Sequence, residues 1–110
     1  MQITVDSDRF DQLQLCVLKE IISAIGEELR KSGVTEAHAL NDLTGSIAFS
    51  VAAIIDGSRV AELDGQEIFP VLTFSAEHNG SDFIGADGGS WMHEYVFGAL
   101  DEVLSNVGEA

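Results

Sequence analysis

The sequence predicts an α+β domain of order (β)-α-α-β-β-α: a small antiparallel sheet or hairpin packed against two long helices and a C-terminal helix. Three observations predict it. Two long stretches in the first half repeat apolar residues at helical spacing. A run of β-branched and aromatic residues follows the turn signal of Asp64 and Gly65. A third helical pattern then closes the chain after Ser90. The 110 residues, 45% hydrophobic and 22% charged, suffice for one domain over 1–110 with one core.

Residues 2–5 are expected to form a short strand, which gives the bracketed β of the order. Asp6, Ser7 and Asp8 then offer side-chain oxygens to the free N–H groups of a first helical turn. Phe10, Leu13, Val17, Ile21, Ala24, Ile25 and Leu29 recur at helical spacing behind them. Arg30 and Lys31 suit the negative end of the helix dipole, and Gly33 supplies a left-handed stop. A helix over 8–32 is expected.

A second helix is expected over 35–56, with Thr35 as N-cap and Glu36 in the first turn. Residues 47–55 are apolar around nearly the whole circumference, so this helix belongs either at the centre of the domain or at a subunit interface. Gly45, Ala48 and Ala52 form one line of small residues, and Ser46, Ser50 and Ala53 another. Asp56 and Gly57 end the helix. Strands over 59–63 and 66–75 should flank the turn as a hairpin, with Pro70 confining the second strand to an edge or a bulge. A two-residue turn sets Glu62 opposite Glu67, and like charges there are unfavourable, so either the register differs, which is the expectation, or a cation sits nearby. Residues 78–90 read as a long glycine-rich loop. Ser90 caps a last helix over 91–106, whose core face is Met92, Tyr95, Val96, Ala99, Leu100, Val103 and Leu104.

The net charge is −14, from 19 acidic and 5 basic side chains. Such a field repels nucleic-acid phosphates and anionic lipid heads, so neither nucleic acid nor a membrane surface is an expected partner. A basic protein surface would be attracted. Solubility or adaptation to salt produces the same numbers. The single cysteine, Cys16, rules out an internal disulfide framework. No basic stretch leads into an apolar run at the N-terminus, and residues 47–55 are too few to span a bilayer. A cytoplasmic setting is the expectation.

Candidate chemistry is sparse. His38 and Asp42 share a helical face at i,i+4, but no further ligand motif supports a metal, and a solvent-exposed pair is the expectation. The 78–90 loop and its flanks hold the candidate ligand-binding residues His78, Asp82, Phe83, Asp87, Trp91 and His93. His78 and His93 would converge if the end of the hairpin met the start of the last helix. Trp91 and Phe83 could line one pocket, or Phe83 and Ile84 could anchor the loop on the core. Asn79, Asp82 and Asp87 lack the spacing of a calcium loop. The glycines before Ser90 lack the lysine of a phosphate loop. Ser46, Ser50 and Ser90 lack a nucleophile-elbow context, and Cys16 reads as a small buried hydrophobe. No catalytic set is recognisable, which leaves enzymatic activity open, and no cofactor or metal site is expected. The expectation is a non-catalytic acidic interaction or regulatory protein that forms a homodimer through helix 35–56. The alternative is a small-ligand, metal-binding or enzymatic domain built on the 78–90 loop and its histidines.

Overall fold

A computed structural model of the chain describes residues 2–75, 77 and 80–108, with side chains as far as residue 105. The elements follow as β1 (Gln2–Val5), α1 (Ser7–Lys31), α2 (Ala37–Ile55), β2 (Ala61–Leu63), β3 (Gln66–Ile68), β4 (Asp82–Gly85), a 3-10 turn (Met92–Tyr95) and α3 (Val96–Gly108). The α+β class and the expected order both hold. The structure adds β4, a strand inside the segment expected to be a structureless loop. β4 pairs in parallel with β1, matching Ile3 to Phe83 and Val5 to Gly85. Phe74 then joins the far side of β4 through an isolated antiparallel bridge to Ile84.

α1 opens on Asp6, whose carboxylate accepts the Arg9 N–H at 3.1 Å. It closes at Gly33, where φ is +109°. There the Gly33 N–H reaches the Arg30 carbonyl at 3.1 Å and the Val34 N–H reaches the Leu29 carbonyl at 3.0 Å. This pair of bonds is a Schellman closure, and only a glycine takes its left-handed residue cheaply. Space is open around a Cβ at Gly33, so Gly33→Ala carries only the backbone penalty. Chemical denaturation should register a loss of about 1 kcal/mol; an unchanged midpoint would place the helix end elsewhere.

The buried face of α1 differs from the expected one. Phe10, Gln14, Leu18, Ile22 and Gly26 are buried, whereas Val17 and Cys16 are exposed. The polar Gln14 occupies a core position because its amide is bonded at both ends. Its Nε2 donates to Asp11 at 2.7 Å, and its Oε1 accepts from Ser90 Oγ at 2.9 Å. Those bonds offset the cost of burying an amide, a compensation that a hydrophobic pattern does not show. Cys16 is therefore not the buried hydrophobe expected.

α2 begins one residue later than Thr35 suggested. Glu36 is the cap, and its two carboxylate oxygens accept the His38 and Ala39 N–H groups at 3.0 and 2.7 Å. These bonds hold the Glu36 carboxyl below the ordinary range. Leu18 and Ile22 of α1, Ala48 and Ala52 of α2, and Val96, Ala99, Leu100 and Val103 of α3 form one core, closed by Met92. Gly45 lets α3 approach α2 closely, since a Cβ there would stand 2.9 Å from Leu100 Cδ2 and 3.2 Å from Phe97 Cε1. Tyr95, expected in the core, is exposed.

The hairpin forms around Asp64 and Gly65, both with positive φ (52° and 77°), as a two-residue primed turn requires. Its register sets Glu62 directly opposite Glu67, contrary to expectation. Both are exposed, and water screens the repulsion more cheaply than the turn could change its length. β3 ends at Ile68, well short of residue 75, and Pro70, which has no N–H to continue a ladder, follows two residues on. The two hairpin strands make their main contacts with each other, and β4, paired with β1, lies against α1.

Candidate interaction surface

Two features stand out above the three-helix core: a buried aspartate–histidine pair, and an uncovered surface running along α2 and across to α3.

Asp56 follows the last residue of α2 and its N–H still bonds back to the Ala52 carbonyl at 2.9 Å. Gly57, with φ +80°, turns the chain away. The Asp56 side chain is then fully buried. Its Oδ1 accepts the Ser58 N–H at 3.0 Å, the local turn that aspartate favours at such a position. Its Oδ2 accepts the His93 N–H at 3.1 Å and also bonds the Nδ1 of the His93 ring. Burial raises the Asp56 carboxyl, but the hydrogen bonds from His93 and Ser58 outweigh it and hold the group below the ordinary carboxylate range. An anion at a helix C-terminus is opposed by the dipole, so these donors are what keep it there. The pair fastens the end of α2 to the turn that starts α3.

Ser58 Oγ also lies 3.3 Å from His93 Nδ1. In a serine–histidine–aspartate relay the serine and the aspartate use opposite ring nitrogens. Here both address the same one, so the three side chains make a structural clasp and not an activated nucleophile.

The His93 ring is one of four in a row. Trp91 lies 6.2 Å from His93 by centroids, His93 lies 5.4 Å from Phe49, and Phe49 lies 5.9 Å from Phe97. Trp91, Phe49 and Phe97 are all substantially exposed. Phe49 and Phe97 form the apolar wall of a groove of about 460 Å³ between α2 and α3, lined also by Asp42, Ser46 and Ser50. Beside the groove, Leu43, Ile47 and Ile54 stand along α2 as a ridge, each 38 to 45% exposed. α3 and α1 cover two sides of α2 and leave this third side open.

The charge distribution is uneven here. Of 19 acidic side chains, only Asp42 lies on α2, and no lysine or arginine does. His38 pairs with Asp42 at 3.4 Å on the exposed surface, as expected from their spacing. Among the described residues no group of three or more histidine, cysteine or acidic side chains is placed to hold a metal. α2 is also the one described helix long and apolar enough, by length and composition, to cross a membrane. It does so only marginally, at a mean hydropathy of 1.2, and it packs against α1 and α3.

Of the described residues expected to bind a ligand, Trp91 and His93 are neighbours, and Asp82, Phe83 and Asp87 are not gathered with them. Asp82 and Phe83 lie on β4 and line a cleft of about 280 Å³ with Thr4, Ser75 and Glu77. Trp91 lines a different cleft of about 270 Å³ with Asp56, Gly88, Gly89 and Ser90. Phe83 is half-buried in the parallel pair, the anchoring arrangement, and does not share a pocket with Trp91. Asp87 is exposed. His78 and Asn79 lie outside the described residues, as would any convergence of His78 on His93. Asp56, Ser58, Phe49 and Phe97 were not anticipated as a group. Asp56 read only as a helix end, and its partner lies 37 residues away.

Comparison of the chain with protein-family models, with curated proteins and with solved structures returns no match.

Proposed function

We propose that this chain is a non-catalytic interaction protein that acts as a homodimer closed through α2. One observation carries the reading: the uncovered face of α2 is an apolar ridge beside a groove, on the one long element nearly free of charge in a chain of net charge −14. A ridge and a groove side by side on one surface suit a two-fold interface, in which each copy offers both halves of the contact. Exposed aromatics such as Phe49 and Phe97 are the side chains that most often anchor such contacts. A basic partner would find its complement on the acidic surfaces elsewhere and would gain nothing from α2. A second copy meets least repulsion where the acids are fewest, at a surface with Asp42 alone. The Asp56–His93 clasp supports the same reading, because it fixes the position of α2 against the turn bearing Trp91 and so presets the surface.

Ile47→Glu tests this. The glutamate would sit mid-ridge and face a like charge or apolar surface across the interface. Light scattering after size exclusion should show the wild type at twice the monomer mass. The variant should dissociate with a constant at least about a hundredfold higher, equivalent to about 3 kcal/mol, with its far-ultraviolet circular dichroism unchanged. Equal association of the two proteins would remove α2 as the interface.

A further inference from the structure

The β2–β3 hairpin extends away from the core. The radius of gyration is 15.5 Å, whereas a compact domain of this length should have about 13 Å. Every residue of both strands is exposed, and among the described residues no helix packs closely against them. A two-stranded hairpin standing alone is marginal in water. Yet this one carries Leu63 and Ile68 at 66 and 42% exposure, and the segment just beyond it adds exposed Phe69 and Val71. Its faces are also sorted. The register puts Glu62 and Glu67 together on one face and Ala61, Leu63 and Ile68 on the other, with Gln66 opposite Leu63 as its one polar member.

We infer that the hairpin is a dimerisation arm, whose apolar face lies on the α2 ridge of the second copy. The inference rests on the homodimer reading and adds a second contact to it. Two arguments select this occupant. The first is area. A stable interface covers roughly 800 Å² on each partner. The α2 ridge and the two phenylalanines are five partly exposed side chains, fewer than the roughly 20 residues a side of such an interface, and the arm adds to them. The second is charge. Pairing two arms edge to edge would bring Glu62 and Glu67 of one copy beside those of the other on one face, a like-charge arrangement that opposes it. Laying the apolar face on α2 meets the charge-poor helix and leaves the glutamates in water. The connectivity agrees: β2 begins six residues after α2 ends, so the arm emerges at the C-terminal end of α2. An antiparallel pair of α2 helices sets that end beside the N-terminal half of its partner, where Leu43 and Ile47 lie.

The test uses the full chain. Sedimentation equilibrium compares the wild type with Leu63→Glu combined with Ile68→Glu. In parallel, Leu63→Cys and Ile47→Cys, each in a Cys16→Ser background, are mixed, equilibrated and treated with a short bismaleimide. The expected result is a wild-type dimer, a dissociation constant raised at least tenfold in the double variant, and a mixed cross-linked species joining the two cysteine variants. A wild-type dimer with no mixed cross-link overturns the arm, whether or not the double variant is weaker, and leaves the α2 dimer standing. A wild-type monomer overturns both.

Discussion

Replacing Asp56 with alanine is expected to destabilise the fold by about 3 kcal/mol, because the change strands buried donors that a charged acceptor now serves. The His93 N–H, the His93 ring and the Ser58 N–H all address this one carboxylate, whose side chain has no contact with solvent. Urea denaturation reads the loss directly. The same group makes a pH prediction of definite sign. The Asp56 carboxyl is held below its ordinary range in the folded protein, so on acidification the unfolded chain takes up the proton first. Its contribution is therefore complete above about pH 4 and is lost as pH falls through the lower folded-state value. Wild type and Asp56→Ala should accordingly converge in stability toward acid. Curves that stay parallel down to the acid transition would mean that the carboxylate is not what the clasp stabilises.

Phe10→Ala should cost about 3 to 5 kcal/mol, the range for deleting a buried aromatic ring. Phe10 is fully buried on α1, and its ring lies 5.2 Å from that of Phe74. Phe74 in turn exchanges both backbone bonds with Ile84, at 3.0 and 2.7 Å. Losing Phe10 thus removes the support under the bridge to β4. Hydrogen exchange at the Ile84 amide should accelerate more than exchange within α2. A loss under about 1 kcal/mol, or uniform acceleration, would mean that the cavity collapses and that β1 and β4 do not depend on α1.

How much of this was legible before the structure depends on the range of the interactions. The helices were, because caps and apolar spacing act within a few residues: Asp6, Gly33, and the turn at Asp64 and Gly65 all stand where their chemistry points. The parallel pairing of β1 with β4 was not, since it joins residues eighty apart and leaves no local mark on Phe83 or Ile84. Gln14 misled for a related reason. Its hydrophobic neighbours set a pattern, but Ser90, 76 residues away, decided which face is buried. Of the surface, the apolar excess in residues 47–55 showed only that α2 is apolar on more than one side, which suits either a central helix or an interface. The groove did not show, because Phe97 comes from α3. The clasp did not show either, because an aspartate followed by glycine is also what an ordinary helix end looks like.

In the proposed dimer two copies meet through the charge-poor side of α2. Sedimentation equilibrium of the wild-type chain across a salt series decides whether they do. Each copy carries a net charge of −14, so the long-range term opposes association and is screened by salt, while apolar burial is not. The predicted result at tens of micromolar is a dimer that holds or tightens as ionic strength rises. A monomer at physiological salt, or a dimer that falls apart as salt increases, would contradict it.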